Sequence, residues 1–536
     1  MSLDQVEEIK RYFGAGARVL RCTIRQIAGG HSTLRHELQE MRVFHQVMIP
    51  SLFSPKPSAL VLESHPCIYL QRDKMTSNRS ASSKLPNTCG IGKTFRPHTL
   101  SALALLVALV GCTTSTSLDP SRYIMVHSEG YPLDLQKRPL TSEAFQQESI
   151  NPILKGIDTY TTENKQPLNR LLIFVHGGLD TYKTGFEQVE ALVAFQQYQP
   201  SSYLSGYHIL TINWDGSFLD SLGDDLAVIR RGEPNLLMGI PTSPFVFADR
   251  LVSSVIETPR ALMYQMENAF DSLRPSADPT ETLGDHIGIY ASYLWLYPIR
   301  VVTLPFIQGY GTATWDMLKR RDELVFAPPG SLRQRDFQRY GNQGAGRTLI
   351  QALEGRVPEK GKWRRSDGTV VPLEIILVGH SMGALVLDRL LQAAPNLSVN
   401  QIIYLAAASS LEDFDRVSLP YLKAHPETRF WSFSLSDKDE TREKYALDLI
   451  ERGSLLVWID NFFERVNTPL QRRLGRYRNY ARYYSGTIQI LPQDLRSRIC
   501  MFQHEGIPDA PRQHAEFNNP EKLERTLKIV QAGSCQ

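Results

Sequence analysis

Residues 375–383 read IILVGHSMG, an apolar run that leads into Gly379-His380-Ser381-Met382-Gly383. The run predicts a buried strand over 375–378, and residues 384–391 predict a helix directly after it. A G-x-S-x-G pattern between a strand and a helix is typical of a nucleophile elbow, a tight turn that presents a serine hydroxyl at the end of a sheet. A side chain at either glycine would collide with the neighbouring strand or helix. Ser381 is therefore the candidate nucleophile.

A second apolar strand ends in a glycine pair. Residues 171–178 read LLIFVHGG, which predicts a strand over 171–175 followed by His176-Gly177-Gly178. A helix is expected over 184–198 and a further strand over 208–213 (HILTIN). Buried apolar strands that alternate with helices favour an α/β protein with a mostly parallel sheet covered on both faces.

With both motifs, the chain resembles the serine esterase and lipase branch of the α/β-hydrolase superfamily. It is also similar to uncharacterised bacterial lipid-anchored hydrolases. The resemblance covers 165–217 and 334–536, which would form the hydrolase core. It implies the α/β-hydrolase fold and the chain order nucleophile, acid, histidine. It also implies an oxyanion hole made by the N–H of Met382 and that of Gly178 (or Leu179).

The catalytic histidine is expected in a loop between the last strand and the last helix. RICMFQ (498–503) predicts that strand, and Asn519-Pro520 predicts a helix with Asn as N-cap, running to about 530. His504 and His514 lie between them. We favour His514, which lies on the loop, as general base and then general acid. His504, at the strand edge, is the alternative.

The acid has several candidates. TRFWSFSL (428–435) predicts a strand that ends before Ser436-Asp437-Lys438-Asp439-Glu440, and Asp437 is the first choice there, ahead of Asp439 and Glu440. Asp413 is a rival, because it follows an earlier predicted strand, IIYLAAA (402–408). Each of these carboxylates is otherwise a solvated surface charge.

Residues 218–333 interrupt the alternation of strands and helices, and we expect a helical cap or lid there. The run 287–307, IGIYASYLWLYPIRVVTLPFI, has the length of a membrane span, but Pro298, Arg300 and Pro305 argue against a regular one. We favour an apolar wall over Ser381, and a buried packing helix is the alternative. Further helices are expected at about 334–355 and 441–465.

A separate signal concerns location. Lys93 and Arg96 precede LSALALLVALVGC (100–112), a charge-free run that predicts a secretory signal. The end of the run resembles a bacterial lipobox, which implies acylation of Cys112 and attachment to the envelope, favouring the outer membrane facing the periplasm. Met75 would give a signal of ordinary length over 75–111. Residues 1–74 are then an upstream extension that is not made, or alternatively a cytosolic extension, and 112–164 hold a tether and an N-terminal segment.

Other features exclude some classes of function. Net charge is +3 with 21% charged residues, so charge alone gives no case for nucleic-acid binding. The sequence shows no metal-ligand cluster and implies no cofactor. Cys500 and Cys535 are candidates for a disulfide in an oxidising compartment, and two free thiols are the alternative.

The sequence therefore predicts a serine hydrolase that cleaves lipophilic carboxylic esters through an acyl-enzyme and is held at a membrane by a lipid anchor. An acyltransferase or thioesterase with the same triad is one alternative. A non-catalytic envelope scaffold is the other, although such proteins usually lose the nucleophile or the histidine, and both are present.

Overall fold

The computed structural model describes residues 118–159, 168–230, 233–271, 283–331, 340–444, 452–504, 507 and 509–533. The predicted signal, Cys112, Cys535 and the extension 1–74 lie outside these residues. Cys500 is disulfide-bonded. No other cysteine falls in the described part of the chain.

A parallel sheet forms the centre of the molecule. Its order is β11-β10-β9-β8-β3-β4-β1-β2, all neighbours being parallel except β1 with β2, and β7 adds an antiparallel partner to β8. The strands are β1 Tyr123–Val126, β2 Pro132–Leu133, β3 Asn169–Val175, β4 His208–Trp214, β5 Ile229–Arg230, β6 Glu233–Pro234, β7 Lys362–Arg364, β8 Val370–His380, β9 Gln401–Leu405, β10 Arg429–Leu435 and β11 Ile499–His504. The strands β5 and β6 form a separate hairpin.

Helices occupy most of the connections between these strands. The α-helices are Ser142–Phe145, Asn151–Thr159, Tyr182–Tyr198, Phe218–Gly223, Leu236–Asp271, Leu283–Val325, Ala345–Glu354, Gly383–Ala393, Leu411–Asp413, Leu419–Ala424, Asp437–Arg442, Leu455–Trp458, Tyr477–Gly486, Gln493–Arg496 and Pro520–Ala532. Short π-helical turns cover Gln146–Ile150, Asp224–Val228, Phe414–Ser418 and Ile459–Phe463, and 3-10 turns cover Pro120–Arg122, Tyr203–Gly206, Pro469–Gln471, Ile488–Ile490 and His514–Asn518.

The strand β8 lies between β3 and β9, which explains its sequence pattern. Its first half alternates exposed and buried residues beside β7, whereas its second half is buried without interruption. A strand between two parallel neighbours has both faces covered, so it reads as a continuous apolar run. The chain is thus an α/β protein with a mostly parallel central sheet, as predicted.

The insertion between β4 and β8 is largely helical. Its two long helices, Leu236–Asp271 and Leu283–Val325, which we call the insertion helices, pack against each other. Residues Arg320 and Arg321, near the end of the second helix, bind Glu129 and Asp215, which follow β1 and β4. This places that end of the helix at the carboxyl edge of the sheet. Among the described residues, no helix combines the length and hydropathy of a membrane span.

Three predicted elements differ from the structure. The strand expected over 402–408 ends at Leu405, because Ala406 turns the backbone with a φ of +44°. The helix expected at 441–465 is interrupted, since Gly453 has a φ of +122° and Leu455–Trp458 begins only after it. The helix expected at 334–355 is shorter and covers Ala345–Glu354 within the described residues.

Candidate active site

Ser381 occupies a strained turn at the carboxyl end of β8, a central strand of the sheet. The strand β8 ends at His380, and the helix Gly383–Ala393, which we call the elbow helix, begins two residues after Ser381. Ser381 has a φ of +52°, in the left-handed region that few non-glycine residues adopt. Such strain persists only where the surrounding structure enforces it, and it concentrates at functional sites. The predicted strand–serine–helix arrangement is therefore present.

The two glycines of the motif explain why the turn closes. A Cβ on Gly383 would lie 2.1 Å from the Val175 carbonyl oxygen of β3. A Cβ on Gly379 would lie 2.9 Å from the Ala384 nitrogen of the elbow helix. One glycine therefore makes room for the neighbouring strand and the other for the helix. This is the steric requirement that the sequence predicts.

His514 lies next to the elbow. Its main-chain oxygen is 3.0 Å from His380 Nε2, and the two imidazole rings are 5.0 Å apart at their centroids. Ser381 and His514 are buried, with exposures of 1% and 7%. Within the described residues, neither Ser381 Oγ nor a ring nitrogen of His514 makes a hydrogen bond. The structure thus brings the two segments together without forming the proton-transfer contact.

Both site histidines are held neutral by their surroundings. Burial lowers the pKa of His380 to about 4. Burial also holds the pKa of His514 well below its usual value, and the neighbouring His380 adds to the effect. A neutral imidazole has one nitrogen that can accept a proton, which is the state that a general base requires.

The two residues predicted to supply oxyanion donors lie side by side. Gly178 lies against Met382, because a Cβ on Gly178 would lie 2.2 Å from Met382 Sδ. Leu179 is the poorer candidate, since its N–H donates to the Gly216 oxygen at 2.9 Å. Met382 precedes the elbow helix as its N-cap, where N–H groups lack helical partners.

Two of the candidate acids bond to the N-cap serine of a short helix. Asp413 Oδ2 accepts hydrogen bonds from the N–H and hydroxyl groups of Ser410, at 2.9 and 2.6 Å. Asp439 Oδ2 accepts from the Ser436 hydroxyl at 2.7 Å. Asp413 completes a capping box with Ser410, which accounts for its carboxylate by a structural role.

The remaining two acid candidates make other contacts and do not reach the His514 ring. Asp437 Oδ1 accepts the Arg478 N–H at 3.2 Å. Glu440 is buried, accepts a hydrogen bond from the Ser454 hydroxyl, and has a pKa raised to about 8 by burial. No hydrogen bond joins either carboxylate to the His514 ring in the described part of the chain.

A carboxylate that the sequence did not single out does contact His514. Glu443 Oε2 accepts the His514 main-chain N–H at 3.3 Å. Glu443 follows the helix Asp437–Arg442, so this contact places the end of the acid segment beside the histidine. The segment DKDETRE is rich in carboxylates, and no pattern within it marks Glu443.

His504, the alternative histidine, has a different environment. It ends β11 and pairs with Leu435 in the register of the sheet. Its ring stacks on Phe433 at 5.5 Å and lies 5.6 Å from that of Phe517. Burial lowers the pKa of His504 to about 4, and its ring makes no hydrogen bond in the described residues.

His176 contacts the loop of the glycine pair and makes no hydrogen bond to Ser381 or His514. Its Nε2 is 3.0 Å from Asn213 Oδ1 and its Nδ1 is 2.9 Å from the Gly177 oxygen. A Cβ on Gly177 would lie 3.1 Å from both His380 Nδ1 and Ser381 Cβ. His176 therefore fixes a loop that must pass close to the elbow.

The described residues contain no cluster of histidine, cysteine, aspartate and glutamate able to hold a metal ion. Comparisons of the chain with protein-family models, with curated proteins and with solved structures found no match.

Proposed function

We propose that the protein is a serine hydrolase that cleaves carboxylic esters through an acyl-enzyme. The observation that carries this proposal is the left-handed φ of Ser381, +52°, between the central strand and a helix that begins at Gly383. Backbone strain in a non-glycine residue concentrates at functional sites, and here it falls on a serine between a buried strand and a helix. The α/β-hydrolase fold is part of the proposal, and the parallel sheet with β8 between β3 and β9 supports it.

The reaction follows from the groups around Ser381. Its Oγ attacks the acyl carbon while His514 takes the hydroxyl proton. The N–H groups of Met382 and Gly178 stabilise the oxyanion of the tetrahedral intermediate. Collapse breaks the ester C–O bond, and the leaving alcohol takes the proton from His514. Water then attacks the acyl-enzyme with His514 as base, which releases the acid and regenerates Ser381.

Asp437 remains the proposed acid partner of His514. It follows β10, and its short helix ends just before Glu443, which contacts the His514 N–H. No hydrogen bond joins the Asp437 carboxylate to the His514 ring in the described residues, and catalytic hydrogen bonds are often long before substrate binds. Glu440 is the alternative acid within the same turn.

A lipophilic acyl substrate is favoured by the insertion helices. Their outward side chains include large apolar groups, among them Phe245 and Ile256 on the first helix and Trp295 on the second, which are 76%, 74% and 85% exposed. On the second helix Trp295, Ile299 and Val302 recur at helical spacing and form one stripe. An exposed apolar surface of this kind suits contact with acyl chains or a bilayer.

Location belongs to the same proposal. Acylation of Cys112 would hold the domain at a bacterial envelope membrane, most simply the outer membrane facing the periplasm, where lipid esters are abundant. Cys112 lies outside the described residues. Mass spectrometry of the membrane-extracted protein tests this step, because a diacylglyceryl group on Cys112 adds a defined mass to the N-terminal peptide.

Ester hydrolysis tests the activity. We expect wild-type protein to cleave p-nitrophenyl esters with a burst of about one equivalent of p-nitrophenol, because deacylation follows a rapid acylation. Ser381→Ala should abolish the burst, whereas Ser434→Ala, a buried serine of β10, should retain it. Transfer of the acyl group to an added alcohol in preference to water would instead indicate the acyltransferase. A folded wild-type protein with no hydrolysis of any chain length would overturn the proposal and favour the scaffold.

A further inference from the structure

The loop that follows β9 holds both main-chain polar groups of Ser381. The Ser381 N–H donates to the Leu405 oxygen at 2.9 Å, and the Ala408 N–H donates to the Ser381 oxygen at 2.9 Å. Ala406, between these two partners, also has a positive φ, +44°. Two strained non-glycine residues therefore lie on segments joined by hydrogen bonds, and such strain calls for a further element that holds the loop in place.

Arg473 supplies that element. Its guanidinium is buried, and Nη1 donates to the Ala408 oxygen at 2.9 Å. The backbone beside it reinforces the contact, because the Gly475 N–H donates to the Ala407 oxygen at 3.0 Å. The approach is close enough that a Cβ on Gly475 would lie 2.2 Å from the Ala407 nitrogen. Ala408 is thus bonded to Ser381 through its N–H and to Arg473 through its carbonyl oxygen.

A buried carboxylate orients Arg473. Asp460, which is fully buried, accepts the Arg473 main-chain N–H at 2.8 Å through Oδ1. Its Oδ2 accepts from Arg476 Nη1 at 3.1 Å and from Asn479 Nδ2 at 2.7 Å. A buried charge with several charge-assisted hydrogen bonds is a rigid point of attachment. The position of Arg473 is therefore well determined.

The second insertion helix packs on the other side of Arg473. The ring of Trp315 lies 5.7 Å from Arg473 Cζ, and its Nε1 donates to Glu464 Oε2. Glu464 Oε2 is 3.5 Å from Arg473 Nη2, and Lys319 Nζ donates to Glu464 Oε1 at 3.1 Å. Arg473 consequently contacts both the insertion and the loop beside the nucleophile.

We propose that Arg473 is a positioning residue that holds Ser381 in its left-handed conformation through the main chain of Ala408. Its effect on catalysis rests on the proposed function, whereas its effect on the loop does not. The guanidinium touches no reacting atom. It restrains the main chain of the nucleophile, and it ties that restraint to the placement of the insertion helix that carries Trp315.

The test compares two buried or half-buried arginines that bind main-chain carbonyls in the full chain. Arg498, just before β11, is the matched control. Its Nη1 donates at 3.0 Å to three carbonyl oxygens that precede β10, those of Leu422, His425 and Thr428. The readouts are the second-order rate constant for fluorophosphonate labelling and hydrogen exchange of the peptide covering 406–411. Both are measured well below the melting temperature of each variant.

We expect Arg473→Met to lower the labelling rate constant by roughly 10- to 100-fold, because small displacements of a reacting group cost about that much. Exchange over 406–411 should accelerate at least about tenfold in the same variant. Arg498→Met should change neither quantity by more than about twofold, although it lowers the melting temperature. Arg473→Lys keeps the charge but loses the planar guanidinium group. Its labelling and exchange rates should lie between those of wild type and Arg473→Met.

Equal labelling of the Arg473→Met and Arg498→Met proteins would overturn the inference while leaving the proposed function intact. If wild-type protein fails to label, the proposed function fails, and exchange over 406–411 then decides the inference by itself. Unchanged exchange in Arg473→Met would refute it. If Arg473→Met does not fold, Arg473→Lys provides the same two readouts.

Discussion

His380 Nε2 lies 3.0 Å from the main-chain oxygen of His514. Because a carbonyl can only accept, Nε2 is the donor and the neutral ring carries its proton there. The residue before the nucleophile therefore holds the segment that carries the candidate base. This contact links two parts of the chain that are far apart in sequence, and it brings His514 to the elbow before any substrate is present.

The elbow glycines lead to a stability prediction. Gly383→Ala should lower the free energy of unfolding by at least about 2 kcal/mol, because the new Cβ would lie 2.1 Å from the Val175 oxygen and the backbone must shift. Gly486→Ala is the control, since nothing lies within 4 Å of its added Cβ at the end of the helix Tyr477–Gly486. Urea unfolding measures both. Equal losses in the two variants would contradict the close packing of the elbow.

His514 gives a prediction for pH dependence. Burial holds the pKa of His514 well below its ordinary 6.5, so the ring stays neutral as the pH falls past that value. We expect the fluorophosphonate labelling rate to stay constant from about pH 8 to about pH 6. A rate that falls to half near pH 6.5 would show an unperturbed histidine. The unfolded chain does bind this proton near 6.5, so the free energy of unfolding should decrease below that pH.

Glu440 should make stability depend on pH in the opposite direction. Its pKa is raised from 4.5 to about 8, so the folded state holds a proton that the unfolded state has lost over that interval. The free energy of unfolding therefore falls as the pH rises from about 4.5 to about 8. Glu440→Gln removes this contribution and should be more stable than wild type at about pH 8, by a few kcal/mol at most.

The control for this pH dependence is Glu412→Gln, a partly exposed carboxylate that pairs with Arg416. Its substitution should change the free energy of unfolding by less than about 0.5 kcal/mol at either end of the pH range. Denaturant unfolding at several pH values measures the free energy of unfolding of wild type and both variants. Parallel curves for wild type and Glu440→Gln would show that the Glu440 proton is not linked to folding.

The apolar stripe on the insertion yields a prediction about lipid binding. In a Cys112→Ala background, Trp295→Ser combined with Ile299→Ser should weaken binding to phospholipid vesicles by at least about tenfold, because two apolar side chains no longer leave water. Tyr198→Ser is the control, as Tyr198 is 84% exposed on the helix Tyr182–Tyr198, compared with 85% for Trp295. Vesicle co-sedimentation measures the partition. Equal binding of both variants would argue against a lipid-facing role for the insertion.

The sequence predicts the centre of the sheet well. The strands β3, β4, β8, β10 and β11 and the elbow helix lie within one or a few residues of their expected bounds, although β8 begins several residues earlier than expected. The apolar runs of β3, β4, β8 and β10 are buried on both faces, as a continuous apolar pattern predicts, whereas β11 lies at the edge of the sheet and is partly exposed. The last helix also begins as predicted, since Asn519 caps it and Pro520 occupies its first turn.

The candidate site is predicted less completely, for a physical reason. The residues of the elbow are close in sequence, so local pattern locates Ser381, Gly379 and Gly383. The acid, by contrast, is defined by which carboxylate reaches the histidine in space, and every candidate occurs in a polar turn. Likewise, the contact of Glu443 with the His514 N–H and the contact of Arg473 with Ala408 arise from distant segments, and no sequence period encodes them.

Identification of the labelled residue tests the central claim most directly. Purified protein is treated with a fluorophosphonate, with and without detergent micelles because Ser381 is only 1% exposed, and the modified peptide is sequenced by mass spectrometry. We predict about one label per chain, on Ser381, lost in His514→Ala and retained in His504→Ala. A label on another serine, or no label on folded protein in either condition, would contradict the assignment of Ser381 as an activated nucleophile.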